Sequence, residues 1–215
     1  MCGIAGYIGR RTIPKEELEG TLKRMNRRGP DHQEWKHSQT ADGRNCFLLH
    51  SRLSIIDLDP RANQPFKIGR KQIVFNGELY NYREIRKEVA ATGYEFRTQS
   101  DTEVLLAAID RLGWAVLDRC EGMWAFAVFD EADGSLTLCR DRFGEKPLYV
   151  HRAEDGLYFA SEPKAVFGLL GRKLPPDHNH LYSYLVNGYR SIYKRQGQTF
   201  FDGLSELPSS GLLRI

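Results

Sequence analysis

Cys2 follows the initiator and is followed in turn by Gly3. A side chain that small makes removal of Met1 the expected outcome, and the product then carries a thiol and an α-amine on one residue. The α-amine titrates at about 7.7–8.0 in model peptides, so near neutral pH it can accept a proton. A thiol is the most nucleophilic of the common side chains. Nucleophile and general base are then joined covalently, and no histidine need be recruited. If Met1 is retained, the amine is acylated and this chemistry is blocked. Position alone leaves the bland reading open, because a cysteine at position two is usually incidental.

Asn76-Gly77-Glu78 follows the strand-like run QIVFN. Asn-Gly is a favoured turn pair, so a tight turn ending the strand is one reading. The other is an oxyanion hole, with the Asn76 amide and the Gly77 N–H both donating to a developing negative oxygen. Arg52 lies at the end of the apolar run of HSRLSIID, where a buried guanidinium is costly unless paired. It either meets an internal carboxylate or clamps a substrate carboxylate with two parallel bonds. Asp101, at a helix start, is either a dipole partner or the counter-ion of a substrate ammonium. Together Arg52 and Asp101 carry the two charges that hold a zwitterion.

The elements that must position these groups are legible from periodicity and turn residues. Residues 3–9 read as a buried glycine-rich strand, 15–28 as a helix stopped by Gly29-Pro30, and 33–39 with 45–50 as a hairpin about Asp42-Gly43. Residues 72–76 read as a strand broken at Asn76-Gly77. Helices are expected at 81–92 and 102–112, the second capped by Ser100 with Glu103 completing a capping box. MWAFAVFD with SLTLCRD, and PLYVHR with LYFASE, read as two hairpins. Short helices are expected at 162–170 and 179–187, and the tail 190–215 as irregular. This order favours an α+β domain built on antiparallel sheets.

Composition excludes several classes of function. The net charge is only +3, and Arg10-Arg11 and Arg27-Arg28 read as isolated solvated pairs, so no nucleic-acid partner is expected. No apolar run approaches the roughly 20 residues that span a bilayer, and no signal peptide is recognisable, which points to no membrane association and a cytoplasmic location. Cys46, Cys120 and Cys139 lie in apolar stretches and read as core thiols. With no CxxC spacing or nearby histidine pair, no metal site is expected.

MCGIAGYIG, RRGPDH, HSRLSIIDL, QPF, VFNGELYNY, SDTEVLL and RDRFGEKPLYV occur in this order over residues 1 to about 170. The set resembles the class II glutamine amidotransferases, and among them the glutaminase domain of glutamine-dependent asparagine synthetase. The resemblance implies an N-terminal nucleophile hydrolase fold, a four-layer αββα sandwich of two stacked antiparallel sheets. It implies Cys2 as nucleophile toward L-glutamine, Asn76 and Gly77 as oxyanion hole, and Arg52 and Asp101 as partners of the α-carboxylate and α-ammonium. Glu78 would line the pocket, and Leu53, Ile55 and Ile56 would flank the substrate.

No cofactor is implied for glutamine hydrolysis. ATP and Mg are expected only in a synthetase domain, C-terminal or separate, whose SGGxDS loop does not occur in this chain. Residues 1–190 are expected to form the glutaminase domain and 191–215 a connecting segment of a longer protein. A homodimer in the full-length form is left open. So are another carboxylate or a sugar as ammonia acceptor, and a non-catalytic regulatory relic of the fold.

Overall fold

The computed structural model describes residues 1–188 and 196–215. The chain forms β1 (Gly3–Gly9), α1 (Lys15–Met25), β2 (His32–Gln39), β3 (Asn45–Arg52), β4 (Phe66–Ile68) and β5 (Lys71–Leu79). It continues with α2 (Tyr82–Ala91), α3 (Asp101–Leu112), β6 (Gly122–Asp130), β7 (Ser135–Arg140), β8 (Tyr149–Ala153) and β9 (Gly156–Ala160). α4 (Pro163–Leu170), α5 (His178–Asn187), β10 (Leu204–Glu206) and β11 (Leu212–Arg214) complete it. One antiparallel sheet has the order β10-β8-β9-β1-β3-β2, and the other β11-β7-β6-β5-β4.

Side chains alternate across each strand, and the alternation sorts the apolar residues into three layers. Ile4 and Ile8 of β1 meet Val74 of β5 and Ala125, Ala127 and Phe129 of β6 in the space between the sheets. The opposite face of β1, Ala5 and Tyr7, packs with Leu18, Leu22 and Met25 of α1 and with Val166 and Leu169 of α4. On the far side Ile73 and Phe75 of β5 and Phe126 of β6 pack against Ile85 and Val89 of α2 and Leu105, Leu106 and Ile109 of α3. The layers are therefore helix, sheet, sheet, helix, as the resemblance implies. Cys46, Cys120 and Cys139 are buried in these layers.

Four local expectations are corrected. β5 is not broken at Asn76-Gly77: Asn76 pairs with Ala125 and Gly77 with Trp124, and the strand runs on to Leu79. Pairing to a full-length neighbour outweighs the turn preference of the dipeptide. The capping box does not form. Ser100 caps the Thr102 N–H at 3.1 Å, but its own N–H donates to Thr98 Oγ1. The Glu103 carboxylate is instead taken by the N–H groups of Arg97 and Thr98 and the hydroxyls of Thr98 and Tyr94.

α1 ends at Met25, three residues early, because the Arg28 N–H closes a turn onto the Met25 carbonyl. The tail expected to be irregular contributes an edge strand to each sheet, β10 against β8 and β11 against β7. The expected domain boundary at 190/191 lies outside the described residues.

Gly6 shows how closely β1 is hemmed in by its neighbours β9 and β3 in the same sheet. A Cβ there would lie 2.4 Å from the Phe159 ring and 2.5 Å from the Phe47 carbonyl oxygen. Gly6→Ala should therefore destabilise the domain by about 1–3 kcal/mol through overpacking. Gly20→Ala, in the middle of α1 with only the flexible end of Arg24 nearby, should stabilise it by up to about 1 kcal/mol. Urea midpoints of the two variants should move in opposite directions; equal midpoints would contradict the close approach at Gly6.

Candidate active site

β1 and β3 pair from Gly3 with Ser51 to Gly9 with Asn45, so Cys2 lies one residue beyond the ladder, level with Arg52. The Leu53 N–H donates to Cys2 Sγ at 3.4 Å, and the thiol lies 3.6 Å from the Leu53 carbonyl oxygen. Burial pushes the Cys2 thiol above its ordinary range, while the Leu53 N–H, the chain's amino terminus and Arg52 draw it back down. The thiol is thus neutral at rest and needs a base to become a nucleophile.

The RGPD loop ties this corner together. Arg28 Nε donates to the Cys2 carbonyl at 2.8 Å, and Asp31 accepts from the Ser54 N–H at 2.7 Å. Of the pair read as solvated, Arg27 is exposed, whereas Arg28 is turned inward, with Glu162 3.8 Å from its guanidinium. The sequence signal was present, two charged residues flanking Gly-Pro beside a motif strand, but it gave Arg28 and Asp31 no role.

One cleft, about 100 Å³ in volume, brings together Cys2, Arg52, Leu53, Ile55, Ile56, Asn76, Gly77, Glu78 and Asp101. These are all nine residues singled out from the sequence. That volume holds several waters. Ile55 stands at the rim with 62% of its surface exposed, and Leu53, Ile56 and Glu78 are half-buried. Met1 also lines the cleft, as does Lys146, which sequence reasoning left without a role.

Arg52 is buried and has no ion pair among the described residues. Its guanidinium donates to the Asp57 and Asp59 carbonyls and, at 2.7 Å, to Asn63 Oδ1. The internal carboxylate that was one option at the sequence level does not pair with it among the described residues, so its guanidinium is held by neutral oxygens. Asp101, the first residue of α3, is buried with the same lack of an ion pair; its carboxylate accepts from the Leu79 N–H at 3.1 Å. Burial raises its pKa to about 6, against the pull of the Leu79 and Thr102 N–H groups and with a further push from Glu78.

Asn76 shares the inter-sheet face of β5 with Val74, and its Nδ2 is buried with no hydrogen-bond partner among the described residues. An unmet buried donor carries a desolvation cost of about 1–3 kcal/mol. Gly77 has to be glycine: a Cβ there would lie 2.2 Å from the Met123 carbonyl oxygen. The cleft therefore combines a half-buried thiol, an unmet amide donor, and opposite charges that form no ion pair among the described residues. Among the described residues no cluster of His, Cys, Asp and Glu could hold a metal ion, and no helix is long and apolar enough to cross a membrane.

The family model for a glutamine amidotransferase domain matches residues 1–215. The chain belongs to that family. It is 39% identical over 176 residues to asparagine synthetase [glutamine-hydrolyzing] 1 of Bacillus subtilis, covering 77% of this chain and 26% of the relative. It is 34% identical over 214 residues to asparagine synthetase [glutamine-hydrolyzing] 3 of the same organism, covering 96% and 33%. The chain thus spans about a quarter to a third of the length of these relatives. The solved glutamine phosphoribosylpyrophosphate amidotransferase of B. subtilis superposes with a TM-score of 0.66 at 18% identity, over 100% of this chain and 49% of that one. That likeness extends to the fold, two stacked antiparallel sheets between helical layers.

A carboxyl group whose folded pKa is raised contributes stability that is full below about pH 4 and lost as pH rises through about 6. Asp101→Asn should therefore melt near the parent at pH 4 and above it at pH 7.5, by an amount on the order of 2–3 kcal/mol. Thermal melts across that range check this, and a gap that does not widen with pH would contradict an unpaired, buried Asp101.

Proposed function

We propose that this domain hydrolyses L-glutamine to glutamate and ammonia, with Cys2 as the nucleophile. The observation that carries the reading is the pair of unpaired buried charges, Arg52 and Asp101, on the walls of the cleft that holds the Cys2 thiol. They match the carboxylate and ammonium of an α-amino acid. Bound this way, glutamine extends its side-chain amide toward Cys2 and Asn76.

Removal of Met1 comes first, since its carbonyl occupies the nitrogen that must act as base. The thiol proton passes to the freed α-amine, and the sulfur attacks the amide carbon. The resulting oxyanion takes the Asn76 Nδ2 donor and the Gly77 N–H, and ammonia departs with the proton held by the α-amine. Water, deprotonated by the same amine, then attacks the γ-glutamyl thioester and releases glutamate and the thiol. A donor that has no partner until charge develops stabilises the transition state more than the ground state. Leu53, Ile55, Ile56 and Glu78 line the substrate's path.

The ammonia is proposed to serve ATP-dependent amidation of aspartate by a synthetase domain in the cytoplasm, where ATP and Mg would bind. The names and lengths of the relatives support this assignment.

Met1-free protein should release glutamate from glutamine, and Cys2→Ala should not. Asn76→Ala should lower kcat by about 100- to 1,000-fold with little change in KM. Glutamate release by Cys2→Ala at the parental rate would overturn the assignment of the nucleophile. Amide-labelled glutamine, supplied with aspartate and ATP to a protein carrying the synthetase domain, tests the acceptor by the appearance of label in asparagine.

A further inference from the structure

Lys146 has no part in the chemistry above, yet its side chain reaches into the same cleft while only 6% of the residue is exposed. The loop between β7 and β8 is built to hold it. The fully buried Asp141 carboxylate accepts the N–H groups of Trp124, Phe143, Glu145 and Lys146 at 3.0–3.2 Å. Arg140 donates to the Lys146 carbonyl at 2.8 Å and to the Gly144 and Leu207 carbonyls, each at 2.7 Å. Both backbone groups of Lys146 are therefore anchored by buried charged side chains.

The ammonium itself is not satisfied in proportion. Among the described residues its hydrogen-bond partner is Met1 Sδ, at 3.3 Å, and it forms no ion pair. A thioether is a weak acceptor, and a buried ammonium without a counter-ion is costly. That sulfur is three bonds from the Met1 Cα, so Lys146 faces the residue whose removal frees the Cys2 α-amine.

We propose that Lys146 is a positioning residue: once Met1 is gone, its fixed ammonium keeps the Cys2 α-amine in the uncharged form that takes the thiol proton. The inference rests on Cys2 being the nucleophile. A free α-amine with its ordinary affinity for protons is mostly charged at pH 7, and only its minor uncharged fraction can accept one. A like charge close by disfavours that charged form. Arg52, in the same cleft, pushes in the same direction, while Asp101 and Glu78 push in the other. Arg28 holds the Cys2 carbonyl with Glu162 beside it. Arg140 and Asp141 flank the lysine with opposite charges, both engaged by backbone groups, Arg140 having Glu206 at 3.5 Å, and Glu145 is exposed.

The test is the pH dependence of kcat/KM for glutamate release by Met1-free parent, Lys146→Met and Lys146→Arg. The acid limb reports the base of the free enzyme. Lys146→Met should move that limb up by about one pH unit and approach the parent above pH 9, and Lys146→Arg should restore the parental limb. A Lys146→Met limb that coincides with the parent's overturns the proposal, whatever the absolute rate.

Should Lys146→Met not fold, Lys146→Gln replaces it. In either case the α-amine can be titrated directly, by NMR of protein whose N-terminus carries ¹³C-methyl groups. An α-amine that titrates alike in parent and variant overturns the proposal without reference to turnover. A parent that releases no glutamate and takes no diazo-ketone glutamine mimic at Cys2 sinks the glutaminase reading instead.

Discussion

The seven residue pairs between β1 and β3 fix where the chain begins, and the rest of the site depends on that placement. β1 lies inside its sheet, between β9 and β3, and is packed on both faces, so its first residue has little freedom. An N-terminal residue is ordinarily among the least ordered in a domain. Here the Arg28 guanidinium on the Cys2 carbonyl and the Leu53 N–H on the thiol extend the order one residue past the strand. The proposed use of the Cys2 α-amine as a base needs a chain end held in place, and these contacts supply that order.

The second sheet supplies what the first cannot. Because β5 continues through Asn76 and Gly77, the amide of Asn76 is presented from an element held by β6, not from a mobile turn. Asp101 comes from the start of α3, whose apolar face is pinned to that same sheet. Asn76 and Asp101 thus rest on a strand and a helix terminus, whereas Leu53, Ile55, Ile56 and Lys146 reach the cleft from loops. The cost is visible in the structure: an unmet amide donor, an unpaired guanidinium and a carboxyl group forced up to about pKa 6. Such strain is expected where a site is completed by its ligand.

Much of this was legible in the residues. Period-two alternation and the Asp-Gly turns located most of the strands; chemical type singled out Cys2, Arg52, Asn76, Gly77 and Asp101, while Leu53, Ile55, Ile56 and Glu78 were expected at the cleft from the family resemblance alone. What escaped has physical causes. Asn76-Gly77 carries a turn preference that only the neighbouring strand overrides. Leu204–Glu206 and Leu212–Arg214 are too short to show a period, and they become strands by adding to existing edges. Glu103 sits where a capping box is expected, yet the donors it meets belong to residues 94–98. Lys146 looks like an ordinary charged loop residue until Arg140 and Asp141 are seen to fold its backbone inward.

In the proposed reaction the sulfur at the first residue of the processed chain becomes covalently bound to the glutamyl group. Acid-quenching Met1-free protein during turnover, followed by peptide mass mapping, measures this directly. A γ-glutamyl adduct is expected on the N-terminal peptide, located on Cys2 and absent when glutamine is omitted. Steady glutamate production with Cys2 unmodified at every quench time, or with the adduct on Cys46, Cys120 or Cys139, would contradict it.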